Sequence, residues 1–181
     1  MDFIDFIKRR NLTRYVVMVL LGIALILILQ KLFVLAVLMG ASLALSFLVG
    51  TYQMSKSFGI ELVVFTAILA GFAFGPTMGA IVGFILIVTH LVIGHFAAGA
   101  YILWVVPMYT ALGFIAGTVS GFDFVTLGIF MTIGVNAISI FITAVTYVQN
   151  LGNYLPYSIT NIIFNVILFT QLGPWISALL V

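Results

Sequence analysis

Long apolar runs dominate this chain, and polar residues occur mainly as short punctuation between them. A helix needs about 20 apolar residues to cross the hydrocarbon core of a bilayer. Seven runs approach that length, at residues 14–30, 32–50, 60–74, 77–95, 99–119, 123–147 and 156–180. None alternates polar and apolar positions as the strands of a membrane barrel do. The pattern predicts an all-α fold, a polytopic membrane helical bundle of six or seven transmembrane helices.

The punctuation varies in strength. Thr51–Gly59 is polar, contains Lys56 and ends in glycine, so it reads as a loop. Gly75-Pro76 reads as a corner, because glycine frees the backbone and proline suits the first turn of the next helix. Ser120-Gly121-Phe122-Asp123 reads as a turn in which Asp123 caps the following helix. Gln149–Pro156 reads as a loop with proline opening the last span. Gln30-Lys31 offers no turn residue: either a very tight hairpin lies there, or one long helix runs on. No internal repeat stands out, which gives no support to an inverted-repeat transporter.

Composition sharpens the membrane reading. Of 181 residues, 65% are hydrophobic and 6% charged, against about a quarter charged in soluble domains. Asp2, Asp5, Lys8, Arg9, Arg10 and Arg14 precede the first long run, and beyond them only Lys31, Lys56, Glu61 and Asp123 are charged. Residues 1–13 are thus expected to form a cytoplasmic or interfacial segment, and 14–181 a single transmembrane helical domain. The basic cluster directs the N-terminus to the cytoplasmic side of the plasma membrane, and its small extent excludes nucleic-acid binding. Tyr15–Leu29 is long for the apolar part of a signal peptide and no small-residue cleavage site follows, so it reads as a retained span. Cysteine is absent, which excludes disulfides and thiolate metal sites.

Small residues recur four apart at Ala36/Gly40/Ala44, Ala67/Gly71, Gly79/Gly83 and Gly113/Gly117. Such spacing lets helix backbones approach closely in lipid. It serves either packing within the chain or, for Ala36, Gly40 and Ala44, docking of a partner. Glu61 follows Gly59-Ile60 and is expected in the first turn of a helix, where an acid suits the helix dipole. It stands there either at the membrane interface or facing a ligand or partner. His90 and His95 are five apart with no accompanying carboxylate or cysteine, so hydrogen-bonded packing is expected rather than a metal site.

The richest polar set lies late in the chain. Asn136, Ser139 and Thr143 share one helix face, as do Asn161 and Asn165. Buried amides in a span must find partners on another helix or on a ligand. Tyr101, Trp104, Pro107 and Tyr109 stand on the preceding helix and suit the same space. Amides, hydroxyls and aromatics with almost no charge match a neutral or weakly polar small molecule. No catalytic constellation, metal cluster or phosphate loop occurs, so neither enzymatic activity nor a cofactor is expected.

The run Glu61–Phe84, with its Gly71-Phe72 pair and Gly75-Pro76-Thr77-Met78-Gly79 motif followed by Gly83, resembles the substrate-binding (S) components of energy-coupling factor transporters. Gly113–Gly117 and Leu155-Pro156…Asn161 extend the likeness over roughly residues 33–180. The resemblance implies capture of a vitamin-like small molecule, energised by a membrane coupling protein and its ATPases. It also implies partner docking through Ala36, Gly40 and Ala44, and a substrate site drawn from Glu61, Trp104, Asn136, Asn161 and Asn165. One departure stands out: if residues 32–50 are the family's first helix, 14–30 are an extra span. A rival resemblance is to MreD-type rod-shape-determining proteins, non-catalytic scaffolds of cell-envelope assembly that open with a helical hairpin. The Gly-Leu-xx-Asp continuation usual there is absent, since Leu86–His90 occupies its place.

Overall fold

The computed structural model describes residues 3–52, 58–94 and 101–180, with side chains from Thr13 onward except at residues 27 and 28. Every regular element among them is helical: α1 (Phe3–Thr51), α2 (Val63–Phe74), α3 (Pro76–Ile93), α4 (Ile102–Thr118), α5 (Phe124–Thr146), a 3₁₀ turn (Val148–Asn150), α6 (Leu151–Gln171) and α7 (Gly173–Leu180). Three stretches are long and apolar enough to cross a membrane: Thr13–Thr51, Pro76–Ile93 and Phe124–Thr146. A fourth is added if the stretches Val148–Gln171 and Gly173–Leu180, bent by 54° at their junction, form one broken span. α2 and α4 are apolar but shorter.

Several expected boundaries change. No hairpin forms at Gln30-Lys31; α1 runs through it for 49 residues. Without glycine, proline or a capping residue, nothing there offsets the loss of backbone hydrogen bonds in a turn. The expected loop at Gln149–Pro156 contracts to the 3₁₀ turn, and Pro156 lies inside α6. Its missing N–H costs α6 one backbone hydrogen bond, to the Gly152 carbonyl. The expected last span, 156–180, breaks at Leu172. Pro174 in the first turn of α7 cannot continue the α6 ladder, which accounts for the break.

The chain divides into two compact units, Met1–Ala36 and Val37–Val181. Within the first, the side chains described from residue 13 to residue 26 are exposed on every face of the helix. Apolar residues in that pattern suit lipid rather than water. The second unit contains the rest of α1 and all later elements. There Ser42, Ser46 and Val49 form the buried face of α1. Ser46 donates to the Ser42 carbonyl (2.8 Å) and lies 2.8 Å from His90 Nδ1 on α3. Gly50 lets α1 approach the backbone at Ile93 and Gly94, where a Cβ would collide.

Close backbone packing unites α2, α3 and α4. A Cβ at Gly71 or Gly79 would strike the Gly113 carbonyl, one at Gly113 the Gly79 backbone, and one at Gly117 the Gly75-Pro76 bond. Three of the four small-residue stripes, those of α2, α3 and α4, are therefore used within the chain. Gly75 turns the corner with φ of 90°, a conformation that only glycine adopts without strain. α5 and α6 form a second pair. Phe65 of α2 joins it to the first group through Phe169 (centroids 4.8 Å apart) and Phe124 (5.7 Å). Asp123 caps α5 as expected, accepting from the Thr126 N–H at 2.9 Å.

Candidate functional site

Phe58–Leu62 is not helical, yet Gly59 and Glu61 are buried and α2 beyond them is buried from Val63 through Gly71. Irregular backbone at this depth requires protein around it to satisfy its polar groups. α6 supplies them. Thr160 Oγ1 accepts from the Gly59 N–H (2.7 Å), and Asn161 Nδ2 donates to the Gly59 carbonyl (2.9 Å). A Cβ at Gly59 would overlap the Tyr157 carbonyl and the Asn161 side chain. Only glycine lets this segment lie so close to α6.

Glu61 closes the network. It is 2% exposed; its Oε2 accepts from the Val63 N–H at 2.5 Å and its Oε1 from Asn161 Nδ2 at 3.1 Å. The first contact satisfies one of the free N–H groups at the start of α2 and places the carboxyl group at the positive end of the helix dipole. Asn161 Oδ1 accepts in turn from Asn136 Nδ2 (2.8 Å), whose second hydrogen goes to the Thr132 carbonyl (2.9 Å). Thr132 donates to the Gly128 carbonyl (2.7 Å). One turn along α6, Asn165 Nδ2 donates to the Asn161 carbonyl (3.0 Å). Asn165 Oδ1 is buried without a hydrogen-bond partner, as are Ser42 Oγ on α1 and Thr66 Oγ1 on α2.

Asn161 lies about 15 Å from either end of α6, and Asn136 about 18 Å and 15 Å from the two ends of α5, at 1.5 Å per residue. The carboxyl group of Glu61 is therefore held midway along both long helices.

Aromatic rings collect toward one end of the same group of helices. Trp104 on α4 stacks with Tyr147 after α5 (centroids 5.9 Å apart, planes at 26°) and meets Tyr101 edge-on (5.9 Å). Tyr154 and Tyr157 on α6 stack at 5.6 Å. Tyr109, Tyr154 and Tyr157 are within electrostatic reach of Glu61. α4 meets α5 only lightly, and Met108 Sδ accepts from Ser139 Oγ across that boundary at 3.6 Å.

The structure thus brings together Glu61, Asn136 and Asn161 by direct bonds and Asn165 one turn away, whereas Trp104 belongs to the aromatic group. Ala36, Gly40 and Ala44 are all exposed, and a Cβ at Gly40 would meet nothing within 4 Å. His90 pairs with Ser46, while His95 and Lys56 lie outside the described residues. Among the described residues, no group of three or more His, Cys, Asp or Glu side chains is placed to hold a metal ion. Sequence reasoning missed Gly59, Thr132, Ser158 and Tyr157. The signal for Gly59 was a glycine two residues before Glu61; the others carry none. Asp123 is exposed at the start of α5, where hydrogen bonds from the Thr126 side chain and backbone hold its carboxyl below the usual range.

No protein-family model, no curated protein and no solved structure matches the chain.

Proposed function

We propose that the chain is a multi-pass plasma-membrane protein that captures a small organic molecule and delivers it across the bilayer, energised by a partner coupling protein and ATPases. In this reading it has no catalytic activity of its own. The observation that carries it is the buried network of Glu61, Asn136 and Asn161 midway along α5 and α6. A carboxylate at the midplane of a membrane costs several kcal/mol and persists where it has work to do. If α1, α2, α3, α4, α5 and the bent α6–α7 pair each count as one crossing, six result, and a cytoplasmic N-terminus puts the C-terminus in the cytoplasm too. The exposed stripe Ala36, Gly40 and Ala44 suits the coupling protein, because close helix approach needs small residues.

The rival scaffold reading shares that partner-facing stripe. It gains nothing from α1, whose unbroken course lacks the opening hairpin that the MreD resemblance implies.

Native mass spectrometry of the purified protein, followed by small-molecule extraction, tests the proposal. A stoichiometric bound compound is expected, lost in Asn165→Leu while the variant stays folded. A ligand-free protein that retains another membrane protein instead would overturn capture in favour of the scaffold.

A further inference from the structure

α6 and α7 part at Leu172 with a bend of 54°. α6 has 21 residues, about 31 Å at 1.5 Å per residue, and that alone matches a hydrocarbon core about 30 Å thick. The start of α5 marks the level of its far end. A Cβ at Gly173, the first residue of α7, would lie 3.3 Å from the Val125 side chain and 3.5 Å from the Phe124 ring. Directly before those residues stands the turn Ser120–Asp123, exposed throughout, with the Asp123 carboxyl group capping α5. A carboxylate there belongs in water or among headgroups, because hydrocarbon penalises charge. α7 therefore begins at the surface of the bilayer rather than inside it.

The eight residues of α7 divide into two faces. Gly173 and Leu180 are buried, Ile176 is half-buried, and the helix packs on α2, α5 and α6. Trp175, Ala178 and Leu179 follow the i, i+3, i+4 spacing of a second face. They are exposed, Trp175 at 76% and Leu179 at 51%. The one hydroxyl of α7 is spent locally, since Ser177 donates to the Pro174 carbonyl at 3.2 Å, and the helix holds no charged residue. Such a face gains nothing from water, and its level keeps it out of the bilayer midplane. The layer between is where tryptophan collects, its ring among the acyl chains and its N–H toward the headgroups.

We propose that α7 is an interfacial helix whose Trp175, Ala178 and Leu179 face docks on the headgroup–acyl boundary of the leaflet at the Asp123 end of α5. With no basic residue to contact anionic lipid, apolar area alone holds it there, so neutral phosphatidylcholine is a sufficient partner. α6 then makes the last crossing by itself. This goes beyond the capture reading and does not depend on it.

The chain contains no cysteine, so one introduced thiol carries one nitroxide label. Ala178→Cys and Leu179→Cys put the label on the exposed face of α7. Ile133→Cys marks the bilayer interior, since Ile133 is 44% exposed and about 15 Å along α5 from Asp123. Each variant, full-length and in phosphatidylcholine nanodiscs, is measured by power-saturation EPR with oxygen and a water-soluble nickel chelate. Both α7 labels are expected about 5–10 Å into the headgroup–acyl boundary, shallower than the label at residue 133. An α7 label as deep as that one would show that α7 extends the crossing, and would overturn the proposal. Full access to the chelate would show a face open to water and suited to a protein partner, and would overturn it too. Ala178→Cys leaves Trp175 and Leu179 in place, so it decides the matter if Leu179→Cys fails to fold.

Discussion

The α2–α3–α4 group and the α5–α6 pair solve the same problem by opposite means. Lipid gives helices no hydrophobic reason to associate, so contact must come from packing or from polar bonds. The first group uses glycine: Gly71, Gly79 and Gly113 bring backbones together so closely that no side chain fits between them. The second uses amides: Asn136 and Asn161 bond across α5 and α6, and Asn161 reaches on to Gly59 and Glu61. Each leaves a buried polar atom without a partner, Thr66 Oγ1 in the glycine-packed group and Asn165 Oδ1 on the amide side.

The largest effect should come from filling the glycine seam. Gly113→Leu drives a side chain into the Gly79 backbone and is expected to cost about 3 kcal/mol or more of stability, read as a fall in the thermal midpoint in detergent. Gly40→Leu, where nothing stands within 4 Å, should change stability by less than about 0.5 kcal/mol. Similar losses at both positions would remove the distinction between a seam and a free stripe.

Next in size is the amide side. Asn161→Leu strands Glu61 Oε1, the Gly59 carbonyl and an Asn136 hydrogen at once, and about 2 kcal/mol is expected. An unchanged midpoint would show that the network does not hold the pair together.

The smallest effect belongs to the exposed cap. Asp123→Ala should lower the midpoint by a few degrees at neutral pH. The folded protein holds that carboxyl below its ordinary range. Its contribution is therefore present above the unfolded value and lost as the pH falls through the folded one. The difference between wild type and variant should vanish in acid; a constant difference would mean that the charge plays no part.

Residue chemistry explains which features were legible beforehand. Gly75-Pro76 and Asp123 act through their own backbone and side chain, so the corner and the cap could be read directly. The glycine spacing likewise announced close helix approach, though not which stripes would meet. Gln30-Lys31 was ambiguous because a missing turn signal is compatible with two outcomes. The break at Leu172 was signalled by Gly173-Pro174 but masked by the apolar run around it. Glu61 was legible as a helix-start acid. That its helix starts midway along two others depends on Gly59 fitting against Tyr157 and Asn161, residues about a hundred positions away. No local pattern encodes that distance.

The glycine seam also has a mechanical consequence. With carbonyls seated against the neighbouring helix axis, α2, α3 and α4 have no slack to slide or tilt separately and should behave as one stiff plate. α4 touches α5 only lightly, so compliance concentrates along that line. A door in this protein would swing there, with the plate as its frame.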